Sequence, residues 1–350
     1  MNEDMTGQMI DLPEWPHAFG VPGNSGLIRS CPEDFVVEEV SRIQPDGEGS
    51  HLWLWVEKRS ANTDWVAREL AKVAACPQRD VGYAGLKDRH AVTRQWFSVP
   101  VGENIAARVA AADIPDVSIL ASSNHGRKLK RGTLDGNRFR LQIRQLQGDP
   151  GVLRERLARI RELGVPNYFG PQRFGHEGRN VKQGLDLLQR RVRLARNKKS
   201  IYLSAIRSFL FNQVLAERIR QGSWNTVMDG DLAMLDGTNS VFPVERADAE
   251  IEERCKRLDI HPTGPMPGED GTQPSGSVFL LEQDILQSWP ELTDVLRAQR
   301  VKASRRALRL YPAELDWKME KDSLELIFNL PPGAYATTLL REVLVGADNH

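Results

Sequence analysis

Between Tyr83 and Val99 the chain reads YAGLKDRHAVTRQWFSV. One carboxylate, Asp88, stands between two bases, Lys87 and Arg89, just ahead of a stretch with strand composition, TRQWFSV. A carboxylate kept ionised by nearby cations can act as a nucleophile or a general base. An Asp at such a place can equally cap a turn, because its short side chain bonds readily to nearby backbone. In extended backbone Lys87 and Arg89 point to the face opposite Asp88, so a partner cation is expected from elsewhere in the chain. His90, His125 and His176 carry ligating nitrogens, but no ligand spacing joins them to Asp88, and no metal site is expected. The chain has no Walker A motif, no GxGxxG after a strand and no GxSxG.

Three basic runs stand out. HGRKLKRG (125–132) carries Arg127, Lys128, Lys130 and Arg131 with no acid. QRRVRLARNKKS (189–200) holds six bases, among them Arg190 and Arg191, again with no acid. VKASRRALR (301–309) is the third. Such runs suit the phosphate spacing of a nucleic acid, although a single run often does no more than solvate a helix face. Lys+Arg and Asp+Glu both number 47, so the balancing acids lie elsewhere and the charge is polarised along the chain. PNYFGPQRFG (166–175) sets Arg173 among Tyr168, Phe169 and Phe174, an arrangement that suits either base stacking or a buried tight turn.

The elements that must position these residues follow from periodicity. DFVVEEV (34–40) and HLWLWVEK (51–58) predict two strands, the second with Leu52, Leu54 and Val56 on one face and Trp53 and Trp55 on the other. NTDWVARELAKVAACP (62–77) predicts a helix with Asn62 or Thr63 as N-cap and Pro77 as its stop. NIAARVAAA predicts another helix, followed by a short strand around Val117–Leu120. GNRFRLQIRQL (136–146) alternates Phe139, Leu141 and Ile143 against Arg138, Arg140, Gln142 and Arg144. Asp149 and Pro150 open a helix that Gly164 ends. From about residue 165 helical periodicity dominates, notably in NVKQGLDLLQRRVRLA and SIYLSAIRSFLFNQVLAERIR. Residues 261–277 are expected as a long Gly/Pro-rich loop, with further helix to about Leu310. SLELIFNL (323–330) predicts a strand and GAYATTLLREVL a closing helix. Strands thus cluster at both ends of the chain and helices in the middle.

The 350 residues, 27% charged and 40% hydrophobic, bound one large domain or two medium ones. The three cysteines, Cys31, Cys76 and Cys255, lie far apart and form no CxxC pair, so neither a zinc site nor a disulfide framework is expected. The first residues lack a basic segment followed by an apolar core, and no run reaches 18 apolar residues. A soluble cytoplasmic protein with no signal peptide and no membrane span is expected.

The segment AGLKDRHAVTRQW (84–96) closely resembles the catalytic motif of the tRNA pseudouridine synthase D family (TruD). PEDFVVEE (32–39), HGRKLKRGTLDGNRF (125–139), GVPNYFGPQRFG (164–175), YLSAIRSFLFNQVLAER (202–218) and LPPGAYATTLLRE (330–342) are also similar to family segments, in the family's order, from about Gly26 to Val345. The resemblance implies an α+β fold. A mixed-sheet catalytic domain of pseudouridine synthase type, 1–165 with 309–350, would be interrupted by an α-rich insertion domain, 166–308. It implies isomerisation of a uridine, at position thirteen of tRNA, to pseudouridine without cofactor or metal. It assigns Asp88 as the catalytic aspartate, acting as nucleophile at C1′ or as base toward C2′–H. Phe139 takes the position of an aromatic that stacks on the flipped base, one ring face packed and one exposed, with Asn137 beside it as a base or sugar contact. Arg29 stands where the family commonly carries a Lys, as the cation that holds Asp88 ionised. Lys87, Arg127, Lys128, Lys130, Arg131, Arg173, Arg190 and Arg191 are the expected RNA contacts. The partner is tRNA, the expected state is a monomer, and no protein partner is implied.

Overall fold

The computed structural model describes residues 12–190 and 192–346. Packing divides them into two compact units. One comprises Gly23–Leu153 and Pro312–Ala336; the other comprises residues 12–22, Arg154–Tyr311 and residues 337–346. By packing, the helix residues after Leu153 and the chain from Thr337 onward go with the helix-rich unit, whereas the expected borders were 165/166 and 308/309.

The first unit is built on strands β1 (Ser25–Leu27), β2 (Phe35–Ser41), β3 (His51–Arg59), β4 (Gly82–Tyr83), β5 (Val92–Pro100), β6 (Val117–His125) and β7 (Leu134–Gln147). Helix α1 (Thr63–Ala74) lies between β3 and β4, and α2 (Ile105–Ala110) between β5 and β6. The period-2 patterns decide the faces. On β7, Phe139, Leu141 and Ile143 are buried while Arg138 and Arg140 are exposed. Helix α1 buries Val66, Ala67, Leu70 and Ala71 and ends where Ala75 turns left-handed. Asn62 occupies its N-cap position without a side-chain cap bond.

The chain then enters α3 (Pro150–Leu163), opened as expected by Asp149, whose Oδ1 accepts from the amides of Gly151 and Val152. The second unit continues with β8 (Val165–Pro166), α4 (Pro171–Phe174), α5 (Arg179–Gln189) and the long α6 (Arg196–Arg220). It goes on through β9 (Leu232–Leu235), β10 (Val241–Pro243), α7 (Ala249–Lys256) and β11 (Ile260–Met266). Helices α8 (Gly276–Gln287) and α9 (Pro290–Ala298) and strands β12 (Ser304–Ala307) and β13 (Arg309–Leu310) complete this stretch. Ile206, Phe209, Leu210 and Phe211 of α6 lie at the centre of its core.

Two expectations fail in this unit. The supposed loop 261–277 begins as strand β11, and residues 304–310, expected as helix, are strands. A proline lacks an N–H but its carbonyl still accepts, and Pro262 takes the Leu308 amide at 2.8 Å. Strand β11 joins β9 to β12 in a four-stranded sheet of order β10-β9-β11-β12.

Strands β14 (Ala313–Met319) and β15 (Ser323–Leu330) return to the first unit, and α10 (Ala336–Val343) follows. The main path of the large sheet is β14-β15-β7-β2-β5-β3-β6. Strands β2 and β5 pair in parallel and the other neighbours antiparallel. The fold is therefore α+β with a mixed sheet. Among the described residues no helix is long and apolar enough to cross a membrane.

Candidate active site

Sheet order delivers Asp88 to its neighbours. Strand β5 lies between β2 and β3. Its first residue, Val92, pairs with Val36 at the start of β2 and with Arg59 at the end of β3. The loop 84–91 ahead of β5 therefore meets two places at once: the segment before β2, which carries Arg29, and the end of β3, which carries Lys58. Arg29 Nη2 lies 3.5 Å from Asp88 Oδ2, so the two charges, 59 positions apart in sequence, are brought together as expected. The Asp88 side chain is 55% exposed and the Arg29 side chain 23%.

Four buried groups fasten that loop, three through its backbone and one through the Lys87 side chain. Lys58 Nζ donates to the carbonyls of Asp88 (2.8 Å) and Ala61 (2.7 Å). Thr63 Oγ1 accepts the Lys87 amide at 3.0 Å, and Gln95 Nε2 donates to the Gly85 carbonyl at 3.0 Å. Glu39 Oε2 takes the Lys87 ammonium at 3.1 Å, with both side chains almost fully buried. Burial pushes the Glu39 carboxyl above its usual range, against the pull of Lys87. Burial likewise pushes the Lys58 amine down to about 8, against the pull of Asp88 and assisted by Lys87. The polar groups are thus inside and structural, while the Asp88 carboxylate is outside and accessible.

Arg29 is itself placed by an aromatic ring. Its backbone is left-handed, with φ of 57°, a strained conformation of the kind found at functional sites. Its guanidinium carbon lies 4.1 Å from the centroid of Phe35, a cation–π contact. The turn just ahead of β2 is pinned by Asp34, which receives Arg144 Nε and Nη2 and the Cys31 amide. Burial raises the Asp34 carboxyl, but the Arg144 and Cys31 hydrogen bonds outweigh this and hold it below its usual range.

Phe139 does not have the open ring face expected of it. It is 5% exposed, stacked on Phe328 (5.3 Å, 17°) and met edge-on by Phe35 (6.2 Å, 81°). It sits in the middle of the sheet, between Val37 and Phe328 in the strand register, so neighbouring strands cover it. Stacking on a base would require these rings to move. Asn137 lies on the same face two residues earlier, and its buried Oδ1 has no protein partner. The approach of β15 here needs a glycine, because a Cβ on Gly136 would meet the Leu330 carbonyl.

The expected RNA contacts separate into two kinds. Lys87 is not one of them: its ammonium points inward to Glu39 and its side chain is 3% exposed. Arg127, Lys130 and Arg131 are exposed and Lys128 half-buried. Arg190 is exposed, and Arg191 lies outside the described residues. Arg173 is half-buried, bonded to Ser204 Oγ and set over Phe169. Tyr168, Phe169 and Phe174 are core residues, so PNYFGPQRFG is the buried turn rather than an exposed stacking platform. In the third basic run, Arg305 pairs with buried Glu282, Arg309 is buried against His261, and Arg306 lies over Phe169. These three arginines are structural, while Lys302 of the same run is exposed.

Lys58, Glu39, Thr63 and Gln95 were not anticipated. A sequence signal exists for two of them. Lys58 continues the apolar alternation Leu52, Leu54, Val56, and Glu39 continues Phe35, Val37. A charge in apolar register is expensive to bury unless paired, so it marks a polar site inside the sheet. Leu86, 63% exposed two residues from Asp88, also went unremarked.

A family model described as tRNA pseudouridine synthase D (TruD) matches residues 16–196 and 179–343. A tRNA pseudouridine synthase D of Methylococcus capsulatus is 46% identical over 345 residues, covering 97% of each chain. That of Hydrogenovibrio crunogenus is 40% identical over 337 residues, covering 95% of this chain and 97% of its own. The crystal structure of the putative tRNA pseudouridine synthase D (TruD) from Methanosarcina mazei matches with a TM-score of 0.71 at 21% identity. It covers 94% of this chain and 95% of that one, which shows a shared fold.

Proposed function

This chain belongs to the tRNA pseudouridine synthase D (TruD) family, and on that premise we propose that it isomerises one uridine of tRNA, at position thirteen, to pseudouridine. The observation that carries the reading is the exposed Asp88 carboxylate facing Arg29 on a loop whose backbone is bolted to the sheet.

The reaction breaks the N1–C1′ bond, turns the uracil and joins C5 to C1′. The C5 proton leaves and N1 receives one. No atom is gained or lost and nothing is oxidised, so the reaction asks for no cofactor. Asp88 either attacks C1′ or takes the C2′ proton; both need a carboxylate that is ionised, oriented and within reach of the ribose. Arg29, 3.5 Å away, faces the carboxylate and aims it. The backbone bonds from Lys58, Thr63 and Gln95 remove the freedom of the loop before substrate arrives, which is how a fixed geometry lowers the entropic part of a barrier.

A uridine inside folded RNA must be flipped out, at a cost of a few kcal/mol. The unpartnered Asn137 Oδ1 supplies an acceptor for a uracil N–H. Exposed Leu86 supplies the apolar contact that Phe139, in its covered position, does not. The exposed bases of 127–131 hold the backbone of the tRNA. The helix-rich stretch 166–308 acts as the family's insertion domain, the protein works as a monomer, and its workplace is the cytoplasm, where the substrate is.

The test is incubation of the purified protein with unmodified tRNA transcripts, followed by mapping of pseudouridine. One new pseudouridine at position thirteen is expected. Tight tRNA binding with no pseudouridine formed would make the protein a non-catalytic RNA binder instead.

A further inference from the structure

A recess of about 600 Å³ in the sheet-bearing unit plays no part in the chemistry described above. Its walls are α1 at Ala67, the segment leading into and through β4, and the segment 128–131. The two segments close on each other because residue 82 is glycine. A Cβ there would strike the Leu129 carbonyl and the Ser98 hydroxyl. Ser98 Oγ accepts the Leu129 amide, which seats the second wall.

The recess is lined by four cations, Arg79, Lys128, Lys130 and Arg131. Among the described residues no carboxylate lies within ion-pair distance of any of them. Two are held in place by neutral groups. Lys128 Nζ donates to the Arg79 carbonyl. Arg131 Nη2 donates to the Tyr83 hydroxyl at 2.7 Å, with its guanidinium carbon 5.1 Å from the Tyr83 ring centroid. Tyr83 in turn donates to Asp64 Oδ1. Burial and that bond push the Tyr83 hydroxyl above its ordinary value, so it stays a donor and Arg131 stays positioned.

Gathering like charges in a concave surface is unfavourable until an anion arrives, and an anion there gains from all of them. The volume falls within the range of pockets that hold a small molecule, so the recess admits a nucleotide unit and not only a grazing phosphate. Tyr83 runs directly into the loop that carries Asp88, and the Gly132 amide donates to the Ala84 carbonyl at 2.8 Å. A phosphate held here is therefore held at a fixed place relative to the catalytic carboxylate.

We propose that the recess bounded by Arg79, Lys128, Lys130, Arg131 and Tyr83 is a phosphodiester-binding subsite that seats a tRNA nucleotide other than the reacting uridine and so sets which uridine reaches Asp88. The proposal rests on the function argued above, with phosphoryl oxygen as the recognised chemistry.

The test uses the full chain with Arg79→Gln and Lys130→Gln combined, and separately Arg131→Lys, each checked for an unchanged thermal midpoint. For the double variant, KM for the tRNA transcript rises about 10-fold or more with kcat within about 2-fold. The plot of log affinity against log salt loses about 1.4 to 1.8 in slope, for two phosphate contacts removed. Arg131→Lys keeps the wild-type salt slope, because the charge remains. An unchanged KM and slope in the double variant overturns the subsite. If inorganic phosphate raises the thermal midpoint of the wild type but not of the double variant, while tRNA binding is identical, the recess takes a free anion and the proposal also fails. A wild type that binds no tRNA at all would instead sink the function on which the proposal rests.

Discussion

Lys58 Nζ donates to the main-chain carbonyl of Asp88 across 2.8 Å, from a residue with no exposed surface. The ammonium therefore acts on the catalytic candidate twice, through a hydrogen bond to its backbone and through charge. A neutral amine still has two N–H donors for its two carbonyl partners, Asp88 and Ala61. Deprotonation then removes the charge and spares the bonds. With the amine pushed down to about 8 by burial, kcat should fall as pH rises through about 8. The pH–rate profile of Lys58→Arg, which stays charged, should lack that limb even if its rates are lower. An identical alkaline limb in Lys58→Arg would remove Lys58 from the account.

The same group makes a stability prediction of definite sign. The folded state binds this proton less tightly than the unfolded chain, so charged Lys58 is a cost to folding at neutral pH. That cost is constant well below pH 8 and fades as pH rises from about 8 toward the ordinary lysine range. Denaturation midpoints of the wild type and Lys58→Met, compared at pH 7 and 9, should show the wild type gaining on the variant at pH 9. A relative loss at pH 9 would reverse the sign.

Phe139→Ala should lower unfolding free energy by about 3–5 kcal/mol, because the ring is packed between Phe328 and Phe35. Phe139→Leu should lose far less. A Phe139→Ala protein with wild-type stability and no activity would show that the ring serves the substrate alone.

Removing one partner of the buried Glu39–Lys87 pair strands the other charge. Lys87→Met should destabilise by about 3–5 kcal/mol. The joint Glu39→Leu and Lys87→Met change should lose less than either single change. Additive losses in a double-mutant cycle would contradict coupling between the two.

Much of this architecture was legible in the chain, and the failures have a common cause. Strands β2, β3, β7 and β15 and helix α1 announced themselves by period and β5 by composition, whereas β1, β4 and β14 of the same sheet were not expected. Asp88 stood out from its own segment as a nucleophile, base or turn cap, but its assignment and Arg29 came only with the resemblance, because the contact between them depends on β5 entering the sheet between β2 and β3. Phe139 was given an open face by the resemblance, although the alternation of its own strand already set it on the apolar face with Leu141 and Ile143, where β2 and β15 flank it. Lys58 and Glu39 were overlooked although both sit in apolar register, and Lys87 was assigned to RNA because Glu39's burial was not foreseen. The strands at 260–266 and 304–307 were hidden by Pro262, Pro265 and a run of arginines whose partners lie far off in sequence.

The central claim is that Asp88 does the chemistry while the rest of its loop is scaffolding. The direct measurement is single-turnover pseudouridine formation on a tRNA transcript by Asp88→Asn, alongside its Kd for the same transcript. The account predicts no detectable pseudouridine and a Kd within about 3-fold of wild type, since the loop backbone is held by Lys58, Thr63 and Gln95 and not by the carboxylate. Pseudouridine formed by Asp88→Asn at a rate near wild type would contradict it.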